Sequence, residues 1–180
     1  MHYRYLVTIP KDKAKDSADA RRCVNSFLEE EGFCSQGRFS SGMADSFVIG
    51  GRWSGELTSM CLDQEKLKKV NEELGEDHFW FGGKGGMTKE KRLEQYKKVF
   101  MKHFPDFNGI LPLWRDSYNP DGMEDDAKII DEVLWNNLME KVIKENNEEH
   151  FSDMEYELDS SAKKEDVVGK YWVVVVDYHN

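Results

Sequence analysis

Cysteine, proline and long apolar runs are scarce in this chain of 180 residues, and each scarcity excludes a class of protein. The three cysteines, Cys23, Cys34 and Cys61, are odd in number and lack CxxC spacing. That argues against a disulfide framework and a cysteine-held zinc, and predicts reduced thiols in a cytoplasmic protein. The longest apolar stretch, around residues 173–176, is far too short to span a bilayer, and Met1-His2-Tyr3-Arg4 leads into a strand-like run rather than a signal peptide. His2, His78, His103, His150 and His179 show neither HxH nor HxxxH spacing, so no metal site is expected. The glycine-rich run Phe81-Gly82-Gly83-Lys84-Gly85-Gly86-Met87-Thr88 fails the P-loop template, because Lys84 is followed by two more glycines instead of Ser or Thr. A GxGxxG fingerprint is also missing, and no cofactor is expected.

Charge is abundant, and it is unevenly placed. The net charge is −10, yet residues 1–104 carry 18 Lys and Arg against 16 Asp and Glu, while residues 105–180 carry 7 against 19. The acidity therefore belongs to the C-terminal part. Such a field repels phosphate backbones, which argues against direct nucleic-acid binding, and it attracts a protein partner with a basic surface. A solvated acidic face that only aids solubility is the competing reading.

Periodicity predicts an α+β fold in one domain over residues 1–180, with 60–123 as a possible insertion or subdomain. Residues 3–9 alternate as an opening strand stopped by Pro10. Asp16 or Ser17 caps a helix with Ala20, Cys23, Val24, Phe27 and Leu28 on one face, and a Gly/Ser-rich loop over 34–44 follows. A β-hairpin is expected from 46–49 and 52–58 about a Gly50-Gly51 turn. Asp63 and Thr88 cap two further helices, the first with Leu67, Val70 and Leu74 inward and the second with Leu93, Tyr96, Val99 and Phe100. After an irregular stretch over 105–123, a helix is expected from 125 to about 144 with Ile130, Val133, Leu134, Leu138 and Val142 on one face. Glu124, Asp125 and Asp126 would then sit in its first turn, favoured by the helix dipole. Short alternation at Met154, Tyr156 and Leu158 and a continuous apolar run over 171–178 predict two last strands, the final one buried on both faces. An antiparallel or mixed sheet follows, with both chain-end strands central and helices backing it.

The most distinctive segment is Gly50-Gly51-Arg52-Trp53-Ser54-Gly55. An arginine beside a tryptophan just after a rigid turn suits an interface anchor or capture of an anion. Alternatively, Trp53 is core and Arg52 pairs with Asp45 or Glu56. The aromatics His78-Phe79-Trp80-Phe81 lie in a loop, and if exposed they form a protein-contact site through Trp80. Asp177 and His179 share a side of the last strand and could act as a base and its orienter, but no Ser or Cys nucleophile is placed beside them.

The GGRWSG run, the opening strand ending at Ile9-Pro10 and the closing Val175-Val176-Asp177-Tyr178-His179 together resemble a family of small uncharacterised phage and bacterial proteins with a GGRW-x-G hairpin and a Val-Asp-x-His ending. Residues 60–123 are not matched, and the family's Thr-Pro-Asp-Gly-x-Trp segment is only faint at Asn119-Pro120-Asp121-Gly122. The resemblance carries no activity and no catalytic residues. It implies a phage-associated setting, in which small acidic proteins often block host defence machinery.

Two functions are therefore expected to compete, with a structural or housekeeping phage protein of no inhibitory role as a third reading. The first is a non-enzymatic inhibitor of anti-CRISPR type, engaging a basic nucleic-acid-handling effector such as a CRISPR nuclease through Arg52, Trp53, Trp80, Glu124, Asp125, Asp126, Asp131 and Glu132. The second is a small-molecule or nucleotide-binding protein, even an enzyme, with Arg52, Lys84 and His179 at a cleft beside the sheet.

Overall fold

A computed structural model describes residues 2–30, 46–75, 88–108, 111–112, 124–140, 151–153 and 162–179. Expectations for the 34–44 loop, Asp45, Trp80, Lys84, most of 105–123, Val142 and the strand at 154–158 lie outside them. So do the side chains of Arg52 and Glu124.

The fold is α+β. The closing strand β5 (Tyr171–His179) lies at its centre and pairs antiparallel with the opening strand β1 (His2–Pro10), His2 facing His179 and Pro10 facing Tyr171. On its other edge β5 takes β2 (Ser46–Ile49) toward its end and β3 (Ala127–Ile129) toward its start, both antiparallel. β1 pairs in parallel with β4 (Phe151–Asp153), so the sheet is mixed, and both chain-end strands are internal. The apolar run over 173–176 explains this position: all four valines are buried, which only a strand covered on both faces allows.

Alternate residues of β5 feed two cores. On one face Trp172, Val174, Val176 and Tyr178 join Tyr5, Val7 and Ile9 under α1 (Ser17–Glu30), whose Ala20, Val24 and Leu28 are buried. Asp16 accepts from the Asp19 amide at 2.8 Å and so caps that helix. On the other face Val173 and Val175 pack with Leu6 against α2 (Glu56–Met60), α5 (Glu132–Leu138) and Val167 of the short α6 (Lys164–Val167).

A third cluster belongs to α3 (Gln64–Leu74) and α4 (Lys89–His103), which pack chiefly on each other through Val70, Leu74, Tyr96, Val99, Phe100 and Phe104. The caps fall where the sequence placed them. Asp63 accepts from the amides of Glu65 and Lys66, and Thr88 from that of Lys91. Replacing Asp63 with Ala should cost about 1 kcal/mol, read as a lower urea midpoint; an unchanged midpoint would show that α3 is held by packing alone. Leu93 departs from expectation, since it is 43% exposed at the edge of the α4 face.

Two expected elements are different. There is no hairpin over 46–58: β2 ends at Ile49, a 3-10 turn occupies Gly51–Trp53, and α2 follows. The partner of β2 is β5, far away in sequence, while Leu57 and Met60 are buried three residues apart in helical fashion. Nor does one helix run from 125. Glu124–Asp126 is a 3-10 turn, Ala127–Ile129 is strand β3, and α5 begins only after Asp131, whose carboxylate accepts from the Leu134 amide at 2.8 Å. Ile129 and Ile130 suit a strand, and their pairing with β5 outweighs the helical period. The α5 face turns accordingly: Leu134, Trp135 and Leu138 are buried, and Val133 is 52% exposed.

Candidate functional site

Gly50 and Gly51 form a corner where β2 leaves the sheet. Both have positive φ, 74° and 54°, which glycine adopts without strain. The Gly50 amide still donates to Val175 O at 2.8 Å, so the corner hangs on the last rung of the ladder. Side chains cannot be added there, for a reason beyond dihedrals. A Cβ on Gly50 would run into the Asp126 carboxylate, and one on Gly51 would lie 2.6 Å from the Asp177 side chain. The two glycines are the places where two buried carboxylates come against the backbone.

Those carboxylates are well seated. Asp126 is wholly buried and accepts from the Ser54 hydroxyl at 2.9 Å and the Gly55 amide at 3.3 Å. Asp177 is buried on β5, opposite Arg4 of β1 and Val48 of β2. Arg4 turns instead to Glu56, with which it forms a close ion pair, and its guanidinium lies 5.7 Å from the Trp53 ring centroid. Trp53 is itself packed against the second core. Asp125, 4% exposed, completes the group beside Thr58. Burial, and then the charge of Asp126, push its carboxyl above the usual carboxylate range; Thr58 and Lys128 pull the other way.

The expected binding residues fall in different places. Asp125 and Asp126 are buried: the turn that carries them is folded inward against residues 54–58, because β3 must run on into the sheet. Trp53 is a half-buried packing residue over Arg4. Asp131 is exposed, but its carboxylate caps α5. Glu132 stays on the surface with a side chain 71% exposed, 2.9 Å from Lys164 of α6. Asp177 lies on the same side of β5 as His179, as its two-residue spacing requires, but it is buried beneath Gly51 and is not open to a ligand.

Sequence reasoning overlooked Arg4, Ser54 and Thr58, and it offered Glu56 as a partner of Arg52, not of Arg4. The signal was partly present: Ser54 and Thr58 are four residues apart after a double glycine. Their partners, however, are 52 to 72 residues distant along the chain.

The described side chains of this corner are three buried carboxylates, the hydroxyls of Ser54 and Thr58 and the Arg4–Glu56 pair, and among the described residues no group of His, Cys, Asp and Glu could hold a metal ion. Among the same residues no helix is long and apolar enough to cross a membrane. Its evident work is to fasten the 50–58 segment to the sheet. The surface around α5 and α6 is different in kind: Glu132, Val133, Glu165 and Asp166 are all exposed there. No family model, curated protein or solved structure matches this chain.

Proposed function

We propose that this chain is a non-enzymatic binding protein, a phage-associated inhibitor of anti-CRISPR type, that engages a basic nucleic-acid-handling effector through the acidic surface of its C-terminal part. One observation carries the reading: among the described residues of 105–180, exposed carboxylates outnumber exposed basic groups. Asp125, Asp126 and Asp177 are buried, while Asp106, Asp131, Glu132, Glu140, Glu165 and Asp166 are exposed, against Lys163, Lys164 and Lys170. The face of α5 and α6 joins carboxylates to an exposed apolar residue, Val133, an arrangement suited to a basic partner. The GGRW-x-G resemblance supplies the phage setting, and the buried corner replaces the recognition hairpin as the role of that motif.

The test is kinetic. A purified CRISPR nuclease captured by this protein should associate roughly tenfold more slowly when salt rises from 50 to 300 mM, with a far smaller change in dissociation. A triple variant E132K/E165K/D166K should slow association at low salt by a similar factor. Asp131 is left in place, because its loss would uncap α5. Association rates indifferent to salt and to the triple variant would reduce the acidic face to a solvated surface and end the proposal.

A further inference from the structure

The corner at Gly50-Gly51 gathers three buried carboxylates, Asp125, Asp126 and Asp177. Arg4 is engaged by Glu56, and Asp126 is satisfied by Ser54 and Gly55. Asp125 is left over: neither of its oxygens makes a hydrogen bond of ordinary geometry among the described residues, although the Thr58 side chain is its polar neighbour. Two adjacent carboxylates in one dry site cannot both be charged without a large penalty. Either a cation or a proton must resolve it, and no described cluster suits a metal ion.

We infer that the Asp125–Asp126 pair is a proton latch: a proton held on Asp125 keeps the Glu124–Asp126 turn seated on residues 54–58, and its loss loosens that turn together with β3. The groups around the turn are few. Its own Asp126 repels a charge on Asp125, and Lys128 of β3 attracts it. Residues 54–58 contribute Thr58 and the Arg4-bound Glu56, and Asp177 of β5 lies across the two glycines. Helix α1 also packs on the turn; it buries Ala20, Val24 and Leu28, with Arg21 half-buried at the edge of that face. Asp126, with two donors, suits the charged role, and Asp125, with none of comparable quality, suits the protonated one.

The upward displacement of the Asp125 carboxyl fixes the sign. A group raised in the folded state contributes stability that is complete below its ordinary value and is lost as pH climbs through the folded value. The latch is therefore tight in acid and loosens toward neutral or alkaline pH, against the trend of a protein stabilised by exposed ion pairs.

The experiment compares urea unfolding of the full chain with that of D125N between pH 4 and 8. The amide cannot ionise, so the folding constant of the wild type should fall relative to D125N by roughly tenfold or more across this range. Amides of residues 127–129 should lose hydrogen-exchange protection relative to those of residues 6 and 7 over the same interval, in the wild type only. D126N should flatten the pH dependence as well, by removing the repulsion. Parallel pH profiles for wild type and D125N would overturn the inference. So would selective stabilisation of the wild type by millimolar magnesium or calcium, which would identify a cation as the neutralising group.

Discussion

Alanine at Gly50 or Gly51 is expected to cost about 3 kcal/mol or more, a large share of the stability of an ordinary domain. Two penalties combine at each site. The first is a positive φ, worth about 1–2 kcal/mol for a residue with a side chain. The second is collision: at Gly50 the new methyl would meet the Asp126 carboxylate and lie 2.5 Å from the Ser54 hydroxyl, and at Gly51 it would press on Asp177. Neither carboxylate can swing away cheaply, since Asp126 is held by two donors in a fully buried site. Gly75 and Gly169 supply the controls. Their φ values are 76° and 75°, but a Cβ there would meet nothing within 4 Å. Alanine at those positions should cost only the dihedral penalty, about 1 kcal/mol. Urea midpoints of the four variants separate the penalties. If all four losses prove equal, the carboxylates yield and the corner is not the fastening point described above.

Replacing Phe100 with Ala should be as damaging, about 3–5 kcal/mol, but confined to a different part of the molecule. Phe100 is fully buried, stacks on Phe104 with centroids 4.7 Å apart and meets Phe107 edge-on at 5.1 Å, while Tyr96 lies 5.8 Å away. Tyr96 donates its hydroxyl to Pro112 O at 2.6 Å, and burial pushes its ionisation well above the usual phenol range, so it remains a donor at any ordinary pH. Peripheral contacts cannot replace this packing. Glu73 accepts from Lys102 and meets His103, and these two, Lys102 first, hold its carboxyl below the usual range, yet Glu73 and Lys102 are solvated. Because α3 and α4 have their own core, the variant should lose hydrogen-exchange protection there first, while β1 and β5 amides stay protected. Equal loss of protection in the sheet would show that the helical pair and the sheet unfold as one unit.

The GGRWSG run and the Val-Asp-Tyr-His ending meet in space. Gly51 lies against Asp177 of the Val-Asp-x-His ending, and the Gly50 amide donates to Val175 just before it. A motif that looked like a recognition hairpin is a close approach of backbone to carboxylate. The acidic surface is left to carry the proposed contact with a basic partner.

Much of the fold was written in local pattern. The alternation in residues 3–9, the unbroken valines of 173–176 and the spacing of Ala20, Val24 and Leu28 each determined an element and the side that it buries. Asp63 and Thr88 determined where α3 and α4 begin, because a cap acts within a few residues of itself. The C-terminal excess of negative charge was equally plain, being a count. Tertiary structure alone decided the fate of 46–58 and 124–138. Gly50-Gly51 is compatible with a hairpin, and residues 125–138 have a helical period, until β5 takes β2 and β3 as partners. Which carboxylates of the acidic part face water was settled by the same pairing. Asp125 and Asp126 resemble Asp131 and Glu132 in sequence, yet strand β3 draws the first two inward and leaves the others at the start of a surface helix. A contact between residues 71 or 72 positions apart, such as Asp126 with Gly55 and Ser54, leaves no trace in the local order of side chains, because it exists only once the sheet has brought them together.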